Sequence, residues 1–489
     1  MTKATPSLIT LRVLRFTSYV SRPSLGLTLI VLAYLVIAVQ YAARTPNWQV
    51  PDEPAHYNYV RFIVEHGALP VLRPGDYDQT FLEQFTHPQN TPHLPIEPLR
   101  YEFWQPPLYY LLAAPIYALT GGSLLALRLF SVALGGALIV VAFLVVRETH
   151  PHMPMLALGT AAFVAFIPQH VAMLAGVNND SLAELLLALT LLQTFRISKP
   201  WPSQWTGVKP LGGSGRPLPP ANPKGGLRTA STPFHRRGLL TLGVLLGLGL
   251  LTKGTNYLML PIVFVALMLS VTYHVSRVTS HVSRITYYAS RFILVLLPAL
   301  VLGSLWWLHN ISVYGGFDIL GLANHNAVVV GQPLTSDWIA RMGFGPFLMS
   351  AVTTTFHSFW GQFGWMGVPM PDTFYLALGA LSIIAFLGWL WSLRETPRPL
   401  PHSHALFLLL VLLSFGYYIF YNFTFVQHQG RYLFTALIPL GLIFSIGIER
   451  WTRLLPRPIR TLVCAGVFAA LAALDVWALY RFVIPALAV

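Results

Sequence analysis

Long apolar runs separated by polar segments dominate the pattern of this chain of 489 residues. About 20 helical residues cross roughly 30 Å of hydrocarbon, and eleven runs approach or reach the length of such a span. They lie near residues 24–43, 124–146, 155–176, 181–196, 238–252, 255–272, 291–308, 373–393, 404–422, 431–448 and 461–483. The pattern predicts an all-α fold, a polytopic membrane helical bundle of about 11 transmembrane helices that forms a single transmembrane domain over 1–489.

Two shorter segments predict helices that lie along the membrane surface. Segment 106–120, PPLYYLLAAPIYALT, is apolar, but its three prolines and its length argue against a span. Segment 53–66 has apolar residues at helical spacing, with Pro54 near its start and Gly67 after its end. We expect both to be juxtamembrane helices on the outer face.

Composition and charge fix the predicted direction of these spans. Hydrophobic residues make up 55% of the chain and charged residues 10%, and the mean hydropathy is +0.59, which is typical of multi-pass membrane proteins. With eleven spans and a cytoplasmic N-terminus, most of the 31 Lys and Arg residues fall in cytoplasmic loops. The net charge of +14 therefore indicates contact with membrane lipid, not nucleic acid.

The long loops divide into two outer loops and one inner loop. The first outer loop is 44–123, with its juxtamembrane helices, and the second is 309–372. Both are rich in aromatic and polar residues, and long loops commonly carry function. The inner loop 197–237 is rich in Pro, Gly and Ser and is basic, which predicts a disordered cytoplasmic linker. The single Cys464 excludes an internal disulfide framework.

The stretch QVPDEPAHYNYV places an acidic pair just after the first span. An ionised Asp52 in the first turn of a helix is able to act as a general base, with Glu53 orienting an acceptor or the neighbouring His56. The structural alternative is an N-capping carboxylate in an ordinary outer loop. The local sequence leaves both interpretations open.

Other polar residues fall at outer span ends under the same topology. Asn179 and Asp180 form a tight turn, where Asp180 either caps the next helix or positions a substrate hydroxyl or a divalent ion. Lys253 and Arg431 either pair a phosphate or extend their side chains to the membrane surface. His309 is a weaker candidate within an aromatic belt.

Motifs of soluble catalytic domains are missing from the sequence. It contains no GxGxxG or Walker A loop, no HExxH and no GxSxG. A nucleotide-sugar domain is therefore not expected. If the protein transfers a sugar, the donor should be a lipid that is reached from the bilayer.

A succession of motifs resembles the C-type (GT-C) superfamily of membrane glycosyltransferases. The motifs are PDEPAHYNYVRFIVEHGALP, WQPPLYYLLAAPIYAL, ALRLFSVALGGALIVVAFLVV, GVNNDSLAELL, LLTKGT, WWLHNISVYG, FWGQFGWMGVP and HQGRYLFTALIPL, and they cover roughly residues 24–450 in order. The chain looks closest to a bacterial family of uncharacterised predicted membrane proteins, which implies location in the bacterial plasma (inner) membrane. It is more distantly similar to protein O-mannosyltransferases and to the aminoarabinose transferase of lipid A.

This resemblance implies transfer of a sugar from a polyprenyl-phosphate donor to an acceptor on the extracytoplasmic side, with inversion at the anomeric carbon. It makes Asp52 the catalytic base, with Glu53 completing an Asp-Glu pair. Arg431, and with it Lys253, corresponds to a basic residue near the donor phosphate. Asp180, His56, Asn179 and His309 are expected to position substrate. The sequence requires no metal, and a divalent ion stays an open possibility.

Departures from the superfamily pattern concern two positions. Relatives often carry Arg where WWLHN has His309, and His where WQPPLYY has Gln105, so contacts with phosphate or metal at these positions are unsupported. The acceptor is unknown. Two alternatives remain open: a transporter or flippase of lipid-linked saccharides, and a noncatalytic scaffold of an envelope complex. Mid-span charge and internal repeats, which are usual in transporters, are nearly missing here.

Overall fold

The computed structural model describes residues 23–198, 233–275, 281–395 and 402–488. These residues form nineteen α-helices and one two-stranded antiparallel hairpin. The elements are α1 Pro23–Arg44, α2 Glu53–His66, α3 Gln79–Phe85, α4 Leu108–Thr120, α5 Leu124–Thr149, α6 Pro154–Ala165, α7 Pro168–Leu174, α8 Asp180–Ser198, α9 Pro233–Leu250, α10 Met259–Val275, α11 His281–Tyr314, α12 Leu322–Val328, α13 Thr335–Met342, α14 Phe344–Trp360, β1 Gln362–Phe363, β2 Val368–Pro369, α15 Asp372–Ser392, α16 His402–Asn422, α17 Leu437–Thr452, α18 Arg457–Ala478 and α19 Ile484–Leu487. The all-α bundle predicted from the sequence is confirmed.

Eight helical stretches in the described residues are long and apolar enough to cross a membrane. A ninth is formed if the bent pair α6 and α7 counts as one span. The two remaining predicted runs, 238–252 and 255–272, also coincide with helix, in α9 and in the shorter apolar stretch Gly254–Leu269. Each of the eleven predicted runs therefore contains helix, and the chain is a multi-pass membrane protein.

The predicted continuous span over 155–176 is broken. Helices α6 and α7 meet at an angle of 66°. Pro168 begins α7, and a proline has no backbone N–H with which to continue the ladder of the preceding helix. His170 Nδ1 lies 2.7 Å from the carbonyl oxygen of Val164 and so supplies a partner at the broken end of α6.

The two predicted surface segments are helical and pack together. Helix α2 has Pro54 in its first turn and ends where Gly67 takes a φ of 63°. Helix α4 begins at Leu108 and has 13 residues, which is too short to cross a bilayer. The rings of Tyr59 in α2 and Tyr110 in α4 stack with centroids 3.7 Å apart. The position of both helices at the membrane surface stays a prediction.

The second long loop, 309–372, is mostly helical, because α12, α13 and α14 fold within it and the hairpin of β1 and β2 follows. A 3₁₀ turn at Gly430–Ala436 leads into α17 and packs against α14, where Gly430 N donates a hydrogen bond to Ser358 Oγ over 2.7 Å. The linker predicted over 197–237 lies almost entirely outside the described residues.

Candidate active site

The carboxylate of Asp52 is held at both oxygens. Asp52 is the residue before α2 and has a φ of 65°, a left-handed conformation that Asp tolerates better than most residues do. The Tyr101 hydroxyl donates to Asp52 Oδ1 over 2.9 Å, and the Arg431 guanidinium donates to Oδ2 over 2.7 Å. The sequence separates Asp52 from Arg431 by 379 positions, and the fold joins them.

Glu53 lies directly beside Asp52 and points away from the cavity described below. Arg128 of α5 donates to both oxygens of its carboxylate, over 2.7 and 2.6 Å. The backbone N–H groups of Trp48 and Val177 also donate to Glu53, each over 3.2 Å. Arg128 in turn donates to the carbonyl oxygens of residues 42, 45 and 46. Glu53 therefore does not line the cavity, and this placement does not support the catalytic role expected for it.

A second ion pair lies at the start of α8. Lys253 Nζ lies 2.6 Å from Asp180 Oδ1. Asn179 is fully buried behind this pair and donates to Gln105 Oε1 over 3.3 Å and to the carbonyl oxygen of Thr252 over 3.2 Å. Asn179 thus joins the first outer loop, α8 and the Lys253 turn, but it does not line the cavity.

Both ion pairs face one cavity of about 540 Å³. Five of the eight residues predicted for the site line it, namely Asp52, His56, Asp180, Lys253 and Arg431. Ligand pockets of small molecules commonly have volumes of about 300–1,000 Å³. The cavity is thus large enough for a sugar with its phosphate, and both cations are already inside it.

Charge in the cavity is distributed unevenly. Burial raises the pKa of Asp52, but the charge of Arg431 together with the hydrogen bonds from Arg431 and Tyr101 more than offsets burial and brings this pKa below its usual value. Asp52 is therefore ionised at neutral pH. Burial lowers the pKa of His56 to about 3, so its ring is uncharged at neutral pH. The ring Nδ1 of His56 lies 2.8 Å from the Tyr110 hydroxyl, which fixes the side chain against α4.

Glu102 was not singled out from the sequence, yet it lines the same cavity. Burial, followed by the negative charge of Asp52, raises the pKa of Glu102 to about 7. Its Oε2 is buried without a hydrogen-bond partner in the described part of the chain. The sequence offered one signal, an acid two residues before the aromatic and proline run WQPPLYY, but other acids of the first outer loop are just as prominent.

His309 is the predicted residue that the fold leaves apart. Its ring stacks on the indole of Trp306 with centroids 4.9 Å apart, on α11, and it does not line the cavity. The substrate-positioning role expected for His309 is therefore not supported by its location. Among the described residues, no group of three or more His, Cys, Asp or Glu side chains is arranged to hold a metal ion.

Comparison with known proteins identifies a glycosyltransferase similarity over part of the chain. Residues 104–216 match the family model of dolichyl-phosphate-mannose-protein mannosyltransferases. The matched segment includes Asp180 and ends before Lys253, and it begins after Asp52. A search of curated proteins finds no match. The family match confirms the resemblance to C-type glycosyltransferases that the sequence motifs indicate.

A search of solved structures finds proteins that share little sequence with the chain. ArnT from Cupriavidus metallidurans bound to undecaprenyl phosphate has 13% identity and a TM-score of 0.49, over 94% of this chain and 73% of ArnT. The Archaeoglobus fulgidus oligosaccharyltransferase has 13% identity and a TM-score of 0.46, over 96% of this chain and 55% of that one. The S. cerevisiae Pmt1-Pmt2 complex has 14% identity and a TM-score of 0.39, over 64% of this chain and 36% of that one.

Proposed function

We propose that this protein transfers a sugar from a polyprenyl-phosphate donor to an acceptor hydroxyl on the extracytoplasmic side of the membrane. The observation that carries the proposal is the meeting of two carboxylates and two cations from four distant segments in one cavity. Asp52, Asp180, Lys253 and Arg431 all line it. Such an arrangement offers a base for the acceptor and a positive site for the leaving phosphate.

Asp52 is the general base of the proposed reaction. Its carboxylate is ionised, lies on the cavity wall and is oriented by Tyr101 and Arg431. Each oxygen keeps a second lone pair after accepting one hydrogen bond, so an acceptor hydroxyl has a place to donate. Glu53 supports this geometry from behind, because its bonds to Arg128 fix the turn that presents Asp52.

Arg431 and Lys253 receive the phosphate. Arg431 contacts Asp52 through Nη2, and its Nη1 has only a contact with Met173 Sδ at 4.0 Å. A guanidinium with free N–H groups is suited to bind a phosphate through two parallel hydrogen bonds. Lys253 adds a point charge on the opposite ion pair. Both cations would stabilise the charge that develops as the phosphate leaves.

The reaction balances with these groups alone. The acceptor O–H bond breaks, and its proton passes to an oxygen of Asp52. The acceptor oxygen forms a bond to the anomeric carbon, while the bond from that carbon to the phosphate oxygen breaks. The polyprenyl phosphate departs with the electron pair of that bond, toward Arg431 and Lys253. Attack from the side opposite the leaving group inverts the anomeric configuration.

The cavity borders a membrane helix, which supports a lipid-linked donor. Tyr417, Phe420 and Tyr421 of α16 line the cavity, and α16 is one of the spanning candidates. Phe420 is 69% exposed, so the same side chain would also be accessible to lipid tails. A polyprenyl chain would therefore leave the cavity beside α16, while its phosphate stays near the cations.

Transfer from polyprenyl-phosphate sugars by the purified protein tests the proposal. Asp52→Asn is expected to reduce transfer by about 10²- to 10⁴-fold, the usual contribution of a positioned base. The matched control is Asp337→Asn on the exposed surface of α13, which should leave transfer unchanged. Undiminished transfer by Asp52→Asn would remove the base role. Movement of the lipid-linked sugar without a glycosidic product would favour the transporter alternative.

A further inference from the structure

The cavity wall holds more carboxylates than cations. Asp52 is paired with Arg431 at 2.7 Å, and Asp180 is paired with Lys253 at 2.6 Å. Glu102 lines the same cavity, but it makes no ion pair with any described residue, and its Oε2 is buried without a hydrogen-bond partner. One carboxyl group is therefore left without a matching positive charge.

Among the described residues around the cavity, no other group supplies that charge. His170 does not supply it, because its Nε2 is bonded over 2.8 Å to Glu184, a further acid that lines the cavity. Burial lowers the pKa of His56 and of His325, so neither ring is charged at neutral pH. The tyrosines of the wall carry no charge at that pH either; they are Tyr77, Tyr101, Tyr417, Tyr421 and Tyr432.

An ionised Glu102 would oppose the donor that the cavity is proposed to bind. The ion pairs of Asp52 and Asp180 cancel, and Glu184 is bonded to His170, so an ionised Glu102 would add an unbalanced negative charge to the wall and would repel a phosphate through a medium of low dielectric. An unpaired buried carboxylate is also costly in itself. The neutral acid removes both penalties and gains an O–H that is able to donate to a phosphate oxygen.

We propose that Glu102 is a further substrate-binding residue, which holds a proton when the donor is bound and donates its O–H to an oxygen of the donor phosphate. This inference rests on the proposed function, because it assumes an anionic donor in the cavity. It adds a property that sugar transfer does not by itself require. Donor binding is coupled to the uptake of one proton.

The pKa of Glu102 sets the pH range of this coupling. Burial and the charge of Asp52 raise it to about 7 in the empty cavity. The acid form then predominates below that pH and disappears above it. Because only the protonated cavity binds the donor well, affinity is expected to fall about tenfold between pH 6 and pH 8.

Binding of undecaprenyl phosphate to the purified full chain at pH 6 and pH 8 tests the coupling without any need for turnover. The phosphate monoester itself titrates near pH 6, so the readout is the ratio of dissociation constants between wild type and variant, in which that titration cancels. Relative to Glu102→Gln, the wild type should lose about tenfold in affinity over this range. Glu97→Gln changes an exposed acid of the same loop and should follow the wild type.

A second variant, Glu102→Leu, removes the donor atom together with the charge. It should bind more weakly than the wild type at pH 6 and should show no extra dependence on pH. Identical pH dependence in the wild type and both Glu102 variants would overturn the inference and leave the proposed function standing. Loss of binding by the folded Glu102→Gln at pH 6 would also overturn it, because the ionised form would then be required. A wild type that binds no polyprenyl phosphate would defeat the proposed function itself.

Discussion

The adjacent carboxylates Asp52 and Glu53 each pair with an arginine, but the two pairs differ in burial and in the number of their hydrogen bonds. The pair of Glu53 and Arg128 is sealed, with side chains 0% and 2% exposed, and Glu53 accepts from both the guanidinium and the backbone. The pair of Asp52 and Arg431 lies on a cavity wall, with side chains 23% and 12% exposed, and it has one contact. All the hydrogen bonds of the Glu53–Arg128 pair lie within the fold, which suits a structural role. The Asp52–Arg431 pair keeps hydrogen-bonding capacity on a cavity wall, which suits contact with a ligand.

The largest effect is expected from breaking the sealed pair. Arg128→Met would leave Glu53 as a buried carboxylate without its cation, which commonly costs about 3–5 kcal/mol. Thermal unfolding in detergent should show a strongly lowered midpoint. The control is Arg61→Met, which breaks a partly exposed pair with Glu97 of the kind that contributes about 0–1 kcal/mol. Equal midpoints for the two variants would mean that burial does not distinguish these pairs.

A smaller effect, of a different kind, is expected from the open pair. Arg431→Met should leave the unfolding midpoint close to that of the wild type, because the side chain of Asp52 is 23% exposed in the cavity and keeps its hydrogen bond from Tyr101. Affinity for polyprenyl phosphate should fall about ten- to a hundredfold, the value of a charge-assisted hydrogen bond. Arg341→Met, on the exposed face of α13, is the matched control. A large loss of stability with unchanged phosphate binding would make Arg431 a structural residue.

The smallest effect concerns His56, one turn beyond both pairs. Its folded pKa of about 3 lies below the unfolded value, so the unfolded chain binds the extra proton and stability falls as pH drops below about 6.5. At pH 5 the titration of His56 lowers the free energy of unfolding by about 2 kcal/mol. His56→Phe should therefore lose less stability than the wild type between pH 7 and pH 5. Parallel stability curves for the two proteins would show that His56 is not held neutral.

From the sequence alone, several residues that are far apart in the chain could be predicted to lie on one face of the membrane. Apolar runs located the helices, and the placement of Lys and Arg put the ends that carry Asp52, Asp180, Lys253 and Arg431 on the same side. Topology confines residues to a face, but it says nothing about contacts within that face. The outer location of this face stays a prediction, whereas in the structure these four residues line one cavity.

Three features were not predicted from the sequence: the direction of the Glu53 side chain, the bend at Pro168 and the surroundings of Glu102. Glu53 looked like a partner of Asp52 because the two are adjacent, but adjacent residues at a helix start point in different directions. Its true partner, Arg128, is 75 positions away and lies near the start of an apolar helix. Pro168 was hidden within a continuous apolar run, so the bend went unpredicted. Glu102 stands out because its Oε2 has no hydrogen-bond partner among the described residues, and this depends on packing around the cavity that the sequence does not show.

A structure of the protein with bound undecaprenyl phosphate would test the central claim most directly. The phosphate is expected in the cavity, within hydrogen-bonding distance of Arg431, with the polyprenyl chain leaving beside Phe420 of α16. The contact between Arg431 and Asp52 should be loosened or shared with the phosphate, while the pair of Glu53 and Arg128 stays unchanged. A phosphate bound outside the cavity at saturation, with the contact between Asp52 and Arg431 intact, would contradict the proposed catalytic site.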